Sequence, residues 1–395
     1  MISVAEALEH VLALAGPVGT EEVALADAAG RVLARPVAAG RDQPPFAASA
    51  MDGYALDGAA AHPGATLRVI GEAGAGHGFA GRVGPGEAVR IFTGAPLPEG
   101  TDRVVIQEDV TRTGETITLD QVDPGTHVRA AGSDFAAGAE IAPPRYLTPG
   151  LLALLAAMNV ARVPVRRRPV VAIVPTGDEL VMPGETPGAD QITASNIFAL
   201  KAIAEAEGAQ ARLLPIARDT PESLRAVLGL ADDADLVVTI GGASAGDHDI
   251  VGPVAAELGM ERAFYKVAMR PGKPLMSGRL GTAMMLGLPG NPVSAIVCGH
   301  LFMVPALRAM LGRTDTAPPL RRGVLAVDVP ENGPRAHYMR ARLDRGDDPV
   351  RITPFTRQDS ALISVLTEAD ALLLRPPGDP ARAAGAAAAY LDLRV

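Results

Sequence analysis

Cysteine and aromatic residues are scarce in this chain. Its 395 residues include one cysteine, Cys298, and no tryptophan, and aromatic residues make up 3% of the total. A single cysteine can form neither an internal disulfide nor a cysteine cluster around a metal. The scarcity of aromatic rings argues against platforms on which nucleic-acid bases stack.

An excess of positive charge is also missing. The formal net charge is −9, which argues against broad nucleic-acid binding but is compatible with a local anion site. We therefore expect no nucleic-acid partner.

Long apolar runs and a secretory N-terminus are missing as well. The longest apolar candidate is Leu151–Val163, which is interrupted by Asn159 and Arg162 and falls short of the ~18–20 residues of a membrane span. The N-terminus lacks a basic stretch followed by an apolar core and a cleavage site. We expect no membrane partner and a cytoplasmic location.

The residues that are present predict a multidomain protein. A chain with 48% apolar and 21% charged residues is typical of globular proteins, and its length predicts roughly two to four domains. Changes in hydrophobic periodicity predict a helical N-terminal region, a β-rich module at 46–134, an α/β domain at 169–313 and a small all-β module at 314–395.

The central region alternates strands with helices, which predicts a doubly wound α/β domain. The predicted strands are 170–174, 211–216, 236–240, 264–269 and 283–286, and the predicted helices are 195–207, 221–230 and 293–311. In the N-terminal region, Ser3 and Glu6 form the capping-box pattern of a helix. A second short helix is predicted at 22–31, and Thr148-Pro149 predicts the start of a third.

The most informative segment follows the strand at 236–240. The glycines Gly241, Gly242 and Gly246 would let the backbone approach a ligand at the carboxyl end of a parallel sheet. Asp247 and Asp249 carry carboxylates of the kind that bind Mg²⁺. The alternative is a tight strand–helix connection with a solvated acidic tip.

Three further segments meet this edge of the predicted sheet. One carries Glu179, which would present a carboxylate unless the segment is an ordinary turn and helix cap. Asp219 follows another strand and, taken alone, predicts an N-cap. The third, Lys266 to Pro274, holds Arg270 and Lys273 on a turn and predicts an anion site or a basic surface loop. Pro274 after Lys273 excludes a Walker A loop.

One competing catalytic motif overlaps the glycine segment. Gly242 to Gly246 matches the G-x-S-x-G pattern that would make Ser244 a hydrolase nucleophile, with His300 and His337 as candidate bases. His300 lies in a long apolar helix, where a histidine is usually a core residue. In the remaining domains, Asp52 and Thr93 are each the polar side chain of a predicted turn, where such residues usually stabilise the turn itself. The spacing around Arg340 and Ser360 does not indicate a function for either residue.

Taken together, these segments resemble the molybdopterin molybdenumtransferase family, which includes MoeA and the E domain of gephyrin. The resemblance covers nearly the whole chain in order. It is carried by Ser49–Ala55, Thr93–Ala95, Gly132–Asp134, Pro175–Leu180, Ser195-Asn196, Asp219, Gly241–Asp249, Arg270–Pro274, Leu288–Pro292, and Arg335 with Tyr338–Arg340.

The resemblance implies a reaction and an assembly. Adenylylated molybdopterin reacts with molybdate, its dithiolene takes up molybdenum, the pyrophosphate link is cleaved with the help of Mg²⁺, and AMP leaves. It also implies an elongated homodimer of four-domain subunits, with the site between the α/β domain of one subunit and the inserted domain of the other. The four domains would be an N-terminal helical and extended domain formed by 1–45 with 135–168, an inserted β-rich domain at 46–134, an α/β domain at 169–313 and a C-terminal β-barrel-like domain at 314–395. The molybdopterin adenylyltransferase and apo-molybdoenzymes are the expected further partners.

The same resemblance assigns roles to residues. Catalytic roles fall to Asp52, Thr93, Asp134, Glu179, Asp247, Lys273 and Arg340. Substrate binding falls to Gly177, Asp178, Ser195, Asn196, Gly241, Gly242, Ser244, Gly246, Lys266, Arg270, Pro289, Asn291 and Ser360. Mg²⁺ would be held by Glu179, Asp219, Asp247 and Asp249. The cations suit a tetrahedral dianion such as molybdate, and the carboxylates suit a hard metal.

Two alternatives stay open at this point. One is molybdopterin adenylyltransferase activity, although that enzyme resembles only a single α/β domain. The other is a non-catalytic dimeric scaffold like gephyrin in receptor clustering, against which the presence of Asp52, Glu179, Asp247 and Lys273 argues.

Overall fold

The centre of the molecule is a six-stranded sheet in the α/β domain. The computed structural model describes residues 1–242, 250–317, 319–346 and 348–393. Across the sheet the strands are Gln210–Leu213, Val170–Pro175, Leu236–Ile240, Ala283–Leu288, Met276–Leu280 and Glu261–Tyr265. The first four strands are mutually parallel. Met276–Leu280 runs antiparallel to Ala283–Leu288, and Glu261–Tyr265 runs antiparallel to Met276–Leu280. The predicted doubly wound domain is thereby confirmed.

Helices cover both faces of this sheet, because side chains alternate along each strand. Val171 and Ile173 belong to the core of one face, and Ala172 and Val174 to the core of the other. The helices on the first face are Val4–Leu14, Asn196–Ala206, Pro292–Cys298 and Val304–Met310; those on the second are Pro221–Gly229 and Val251–Glu257. Strands with two covered faces are apolar along their whole length.

Two elements of this domain escaped the sequence patterns. The helix Val251–Glu257 follows the glycine segment, and the strand Met276–Leu280 contains Gly278 in its interior. A Cβ at Gly278 would lie 2.4 Å from the Glu261 carbonyl oxygen. The close pairing of these two strands requires glycine there, and a glycine weakens the strand signal.

The apolar run Pro292–Met310 corrects one expectation. At 19 residues it is longer than Leu151–Val163, and by length and composition it could cross a membrane. It lies inside the protein, with 83% of its apolar window buried. Its middle, Gly299–Met303, winds as a π-turn, and Gly299 packs so closely that a Cβ would lie 2.6 Å from Leu200 Cδ2.

The N-terminal region differs from the prediction at its second element. The predicted helix at 22–31 is wrong, since Thr20–Ala24 is a strand that pairs with Arg162–Arg166 and only a short 3₁₀ turn, Leu25–Asp27, follows. Pairing with a distant strand overrides local helix propensity. This small sheet also contains Val32–Leu33 and Arg145–Tyr146.

Both predicted helix starts in this region are confirmed. Ser3 and Glu6 form the capping box of Val4–Leu14, and the Thr148 hydroxyl caps Pro149–Ala157. The buried face of Val4–Leu14 packs on the α/β core. The proposed domain boundaries remain a prediction.

The inserted region is β-rich, as predicted. Its six-stranded sheet has the order Arg103–Ile106, Gly53–Leu56, Glu87–Ile91, Thr66–Ala73, Thr116–Leu119 and Val110–Thr113. The short strands Ala48–Ser49 and Val128–Arg129 pair beside it.

The C-terminal strands close into a five-stranded barrel, which confirms the barrel-like domain. Around the barrel the order is Ala336–Asp344, Arg351–Pro354, Leu320–Leu325, Ala387–Asp392 and Ala371–Arg375, which pairs with the first again. The two-residue strand Met269–Arg270 runs parallel to Ala336-His337. The predicted strand 264–269 is therefore two strands, because the chain turns at Lys266, whose φ is +67°, and passes from the sheet to the barrel.

Candidate functional site

A cleft of about 750 Å³ lies where three parallel strands end. Pro175, Ile240 and Leu288 are partners in adjacent strands, so the three segments that follow them leave the sheet at one level. This edge is where open α/β folds bind ligands. The predicted site residues that line the cleft are Gly177, Glu179, Ser195, Asn196, Asp219, Gly241, Gly242, Pro289 and Asn291.

The first segment presents Glu179. Its turn depends on Gly177, whose φ of +145° is open to glycine and strained for other residues. A Cβ at Gly177 would lie 2.4 Å from a Glu179 carboxylate oxygen. The Glu179 side chain is exposed in the cleft, and its carbonyl accepts from Ile192 N at 2.7 Å. A compact turn therefore presents an acceptor group to any ligand in the cleft.

Asp178 and Asp219 bind each other's backbone. The Asp219 amide donates to Asp178 Oδ1 at 3.1 Å, and the Asp178 amide lies 3.4 Å from Asp219 Oδ2. The following helix, Pro221–Gly229, is capped by the Thr220 hydroxyl. The interpretation of Asp219 as that helix's N-cap is therefore wrong, and its carboxylate faces the cleft segment instead.

Arg218 is a contributor that sequence reasoning missed. Its Nη1 donates to the carbonyls of Asp178 at 3.0 Å and Leu180 at 3.1 Å, and lies 3.4 Å from that of Gly177. Its only sequence signal is its position beside Asp219 after a strand. An exposed arginine in a loop has no pattern that predicts such contacts.

The second segment begins with two glycines in left-handed conformations, Gly241 at φ +98° and Gly242 at φ +60°. A Cβ on Gly241 would lie 2.7 Å from the Thr176 carbonyl oxygen, and one on Gly242 would lie 2.6 Å from Val251 Cγ2. The predicted close approach of backbone at this point is thus present. The predicted site residues Ser244, Gly246, Asp247 and Asp249 lie outside the described residues.

Of the two histidines of the competing hydrolase motif, His337 is buried and His300 is half-buried. Burial lowers the pKa of His300 to about 4. The pKa of His337 is also lowered to about 4, first by burial and then by the neighbouring charges of Arg270 and Arg340. Neither histidine is among the described residues that line the cleft. The geometry of the described residues gives the hydrolase hypothesis no support.

The third segment joins the α/β domain to the barrel. Asn196 Nδ2 donates to the Gly290 carbonyl at 2.7 Å, and Ser195 Oγ donates to Asn196 Oδ1 at 3.2 Å. Asn291 Nδ2 donates to Ser360 Oγ at 3.0 Å. The amide of Val293, in the first turn of a helix, donates to the Ser360 carbonyl at 3.1 Å. Ser360 therefore lies at the rim of the cleft, although it belongs to the barrel domain.

Arg340 and Gln358 hold the barrel loop that carries Ser360. Arg340 is 2% exposed, and its Nη1 donates to the Leu362 carbonyl at 3.1 Å. Gln358 Oε1 accepts from Arg340 N at 3.0 Å, and its Nε2 donates to the carbonyls of Arg340 and Phe355 at 2.9 and 2.8 Å. Burial lowers the pKa of Arg340. These contacts favour a positioning role for Arg340, and a catalytic role stays a prediction.

The cationic loop from Lys266 to Pro274 lies between the cleft and the barrel. Arg270 and Lys273 are exposed, and Lys266 Nζ lies 4.8 Å from the centre of the Tyr265 ring. Gly272 approaches the protein so closely that a Cβ would lie 2.5 Å from Cys298 Sγ. Burial raises the pKa of Cys298 far above its usual value, which leaves the thiol protonated.

The predicted residues of the inserted region are not among the described residues that line the cleft. Asp52 Oδ1 accepts from both the amide and the hydroxyl of Thr93, each at 2.8 Å. The two Thr93 bonds, with a smaller contribution from Arg90, lower the pKa of Asp52. Asp134 donates its amide to the Gln43 carbonyl at 2.9 Å. Within one chain, Asp52, Thr93 and Asp134 therefore belong to a different region from the cleft.

Family models match the chain in three consecutive regions. Residues 2–159 match the MoeA N-terminal region (domain I and II), residues 172–309 match a probable molybdopterin binding domain, and residues 322–393 match the MoeA C-terminal region (domain IV). The cleft lies within the second match and is rimmed by Ser360 from the third.

Relatives and solved structures agree with these matches. The molybdopterin molybdenumtransferase of Nostoc sp. is 39% identical over 304 residues, which cover 74% of this chain and 70% of the relative. That of Bacillus subtilis is 33% identical and covers 95% of this chain and 90% of the relative. A crystal structure of a molybdopterin biosynthesis MoeA protein from Pyrococcus horikoshii has a TM-score of 0.86 and 30% identity, with all of both chains covered. This chain therefore belongs to the molybdopterin molybdenumtransferase family.

Proposed function

We propose that the chain inserts molybdenum into adenylylated molybdopterin. Two thiolate sulfurs of the dithiolene replace two molybdate oxygens, which leave as water after protonation. Water opens the pyrophosphate link, so that AMP leaves and the other phosphate stays on the pterin. The observation that carries the proposal is the cleft at the sheet edge, in a chain that matches the family over all three regions.

Separate groups around the cleft suit the two ends of such a substrate. Arg270 and Lys273, with Lys266 nearby, provide positive charge for molybdate, while Arg340 holds the loop that offers the Ser360 hydroxyl. The segment from Pro289 to Asn291 leads into the helix Pro292–Cys298, where Pro292 has no N–H and the Val293 amide already donates to the Ser360 carbonyl. The pterin phosphate would therefore lie against the glycines Gly241 and Gly242.

The carboxylates of the cleft fit a hard cation. Glu179 and Asp219 both line it, and carboxylate oxygens are ligands that Mg²⁺ accepts alongside substrate phosphates. The described residues contain no group of three or more His, Cys, Asp or Glu side chains that could hold a metal by themselves. Asp247 and Asp249 are the further ligands we propose. When bound, Mg²⁺ would neutralise charge at the phosphate link.

A second copy of the chain would complete the site. Asp52, Thr93 and Asp134 belong to the inserted region and do not line the cleft of their own chain. We propose a homodimer in which they face the cleft of the other subunit. A cytoplasmic adenylyltransferase would supply the substrate, and apo-molybdoenzymes would receive the product.

Two other functions are less well supported. An adenylyltransferase needs only the α/β domain, whereas this chain also matches the N-terminal and C-terminal MoeA regions. A non-catalytic scaffold would not need the exposed Glu179 or the Asp52–Thr93 pair.

The test is AMP release from adenylylated molybdopterin by the purified chain. We expect release that needs both Mg²⁺ and molybdate, with molybdenum retained on the pterin. Release from ATP with molybdopterin would indicate adenylyltransferase chemistry instead. If the chain binds the substrate but releases no AMP, the insertase proposal is wrong and a scaffold is favoured.

A further inference from the structure

Arg218 bridges the two segments that carry the cleft carboxylates. Its backbone follows the strand Gln210–Leu213, and its amide is fixed by Ser223 Oγ at 2.9 Å. Its side chain reaches back to the turn after the strand Val170–Pro175 and donates to carbonyls on both sides of Glu179. One guanidinium therefore holds the turn from which the Glu179 carboxylate projects.

The turn needs such a partner because its own backbone forms little regular structure. Gly177 is left-handed, and the carbonyls of Gly177, Asp178 and Leu180 converge on one point. Three convergent carbonyls without a donor would repel one another, and each would need water. A planar, always charged guanidinium satisfies them from a single position.

The residue next to Arg218 contacts the same turn. The Asp219 amide donates to the Asp178 carboxylate and the Asp178 amide lies near the Asp219 carboxylate, so the pair Arg218-Asp219 holds the turn at two points. The separation between the Glu179 and Asp219 carboxylates is thereby set by contacts of Arg218 and Asp178. Arg218 itself is not among the described residues lining the cleft.

We propose that Arg218 is a positioning residue, which fixes Glu179 relative to Asp219 without contacting the substrate. This inference rests on the proposed function for its effect on turnover, but the clamp on the turn is a separate physical claim. Loss of residues that orient metal-binding groups typically lowers metal affinity or activity by about 10- to 100-fold.

The test compares Arg218→Met with Arg225→Met. Arg225 is a matched control because it lies on the next helix, is exposed, and pairs on the surface with Glu257 at 3.1 Å and Glu222 at 3.6 Å. Arg218→Lys keeps the charge but replaces the guanidinium, whose Nη1 makes the contacts with the turn, by an ammonium group on a shorter side chain. Amide hydrogen exchange of residues 176–182 reports on the clamp without any substrate or metal.

We expect faster exchange of 176–182 in Arg218→Met, by about tenfold, and no change in Arg225→Met. The kcat for AMP release should fall about tenfold and the Mg²⁺ concentration for half-maximal rate should rise, while KM for the pterin substrate stays within twofold. Arg218→Lys should recover part of both losses. If Arg218→Met does not fold, Arg218→Lys is compared with Arg225→Met in the same two measurements.

Equal exchange of the turn in the Met variants of Arg218 and Arg225 would overturn the proposal. So would a loss of kcat accompanied by an equal loss of substrate affinity, which indicates general damage. If the wild-type chain releases no AMP, the proposed function fails, and the exchange comparison still decides whether Arg218 clamps the turn.

Discussion

Asp178 and Asp219 form a reciprocal pair in which each carboxylate approaches the other's backbone amide, at 3.1 and 3.4 Å. The pair links the segment after the strand Val170–Pro175 to the segment after its neighbour Gln210–Leu213. Asp219 therefore has a structural contact through Oδ2, while its Oδ1 has no hydrogen bond to the described residues. Its two roles can be separated by substitution.

Replacing Asp219 with asparagine should lower AMP release by about 10²-fold or more while leaving the fold intact. The amide oxygen of asparagine can still accept from Asp178, but the charge that a cation requires is lost. Asp219→Ala should lose activity and also loosen the turn. Asp232→Asn, an exposed carboxylate away from the cleft, is the control. Wild-type rates in Asp219→Asn would remove this charge from the mechanism.

Gly177→Ala should damage both stability and turnover. Alanine at φ +145° is strained by about 1–3 kcal/mol, and its Cβ would displace the Glu179 carboxylate. Gly184→Ala is the matched control, because Gly184 also has a left-handed φ of +96° but nothing lies within 4 Å of its Cβ. Denaturant unfolding should show comparable losses for the two variants, and AMP release should fall only in Gly177→Ala. Equal activities would show that the position of Glu179 is unimportant.

The sequence predicted best where a local pattern has a physical cause. The strands of the central sheet are buried on both faces, so their sequences are continuous apolar runs that are easy to recognise. The strand that ends at Ile240 leads into the glycines Gly241 and Gly242, as expected. The capping groups of Ser3 and Thr148 were also visible, since they depend on neighbours within three residues.

The failures involve contacts between distant residues. Thr20–Ala24 is a strand because Arg162–Arg166 lies beside it, and nothing near residue 22 encodes that partner. Asp219 was interpreted as a cap because its true partner, Asp178, is 41 residues away. The contacts of Arg218 and Gln358 were missed for the same reason. Their roles are set by the loops that the fold brings to them.

Gln358→Ala should weaken the response to molybdate more than it lowers maximal turnover. Without the amide, the Arg340 N–H loses its acceptor, while the Arg340 carbonyl keeps the Phe355 amide at 3.0 Å. The loop that carries Ser360 then loses its contacts with the Arg340 backbone. An unsatisfied buried group costs about 1–3 kcal/mol, which corresponds to roughly a tenfold or larger rise in KM for molybdate if the loop must be reordered on binding. Gln121→Ala, an exposed glutamine of the inserted region, should behave as wild type. An unchanged molybdate KM in Gln358→Ala would separate this loop from the oxyanion site.

The Asp52–Thr93 pair predicts a specific pH dependence. The Thr93 amide and hydroxyl bonds lower the pKa of Asp52 below its ordinary value. A carboxyl whose pKa is lower in the folded state stabilises the fold above the unfolded-state pKa. That contribution disappears as the pH falls through the folded-state pKa.

Thr93→Val removes the hydroxyl bond and keeps the amide bond, so we expect the pKa of Asp52 to rise part of the way towards its ordinary value. Carboxyl ¹³C NMR titration should show the higher midpoint directly. The difference in unfolding free energy that comes from this pair should be present at neutral pH and vanish in strong acid, where Asp52 is protonated in both proteins. Thr101→Val is the control, because the Thr101 hydroxyl donates to the Pro98 carbonyl at 2.8 Å and to no carboxylate among the described residues. A midpoint for Asp52 that is identical in wild type and Thr93→Val would show that the hydroxyl bond does not hold the carboxylate.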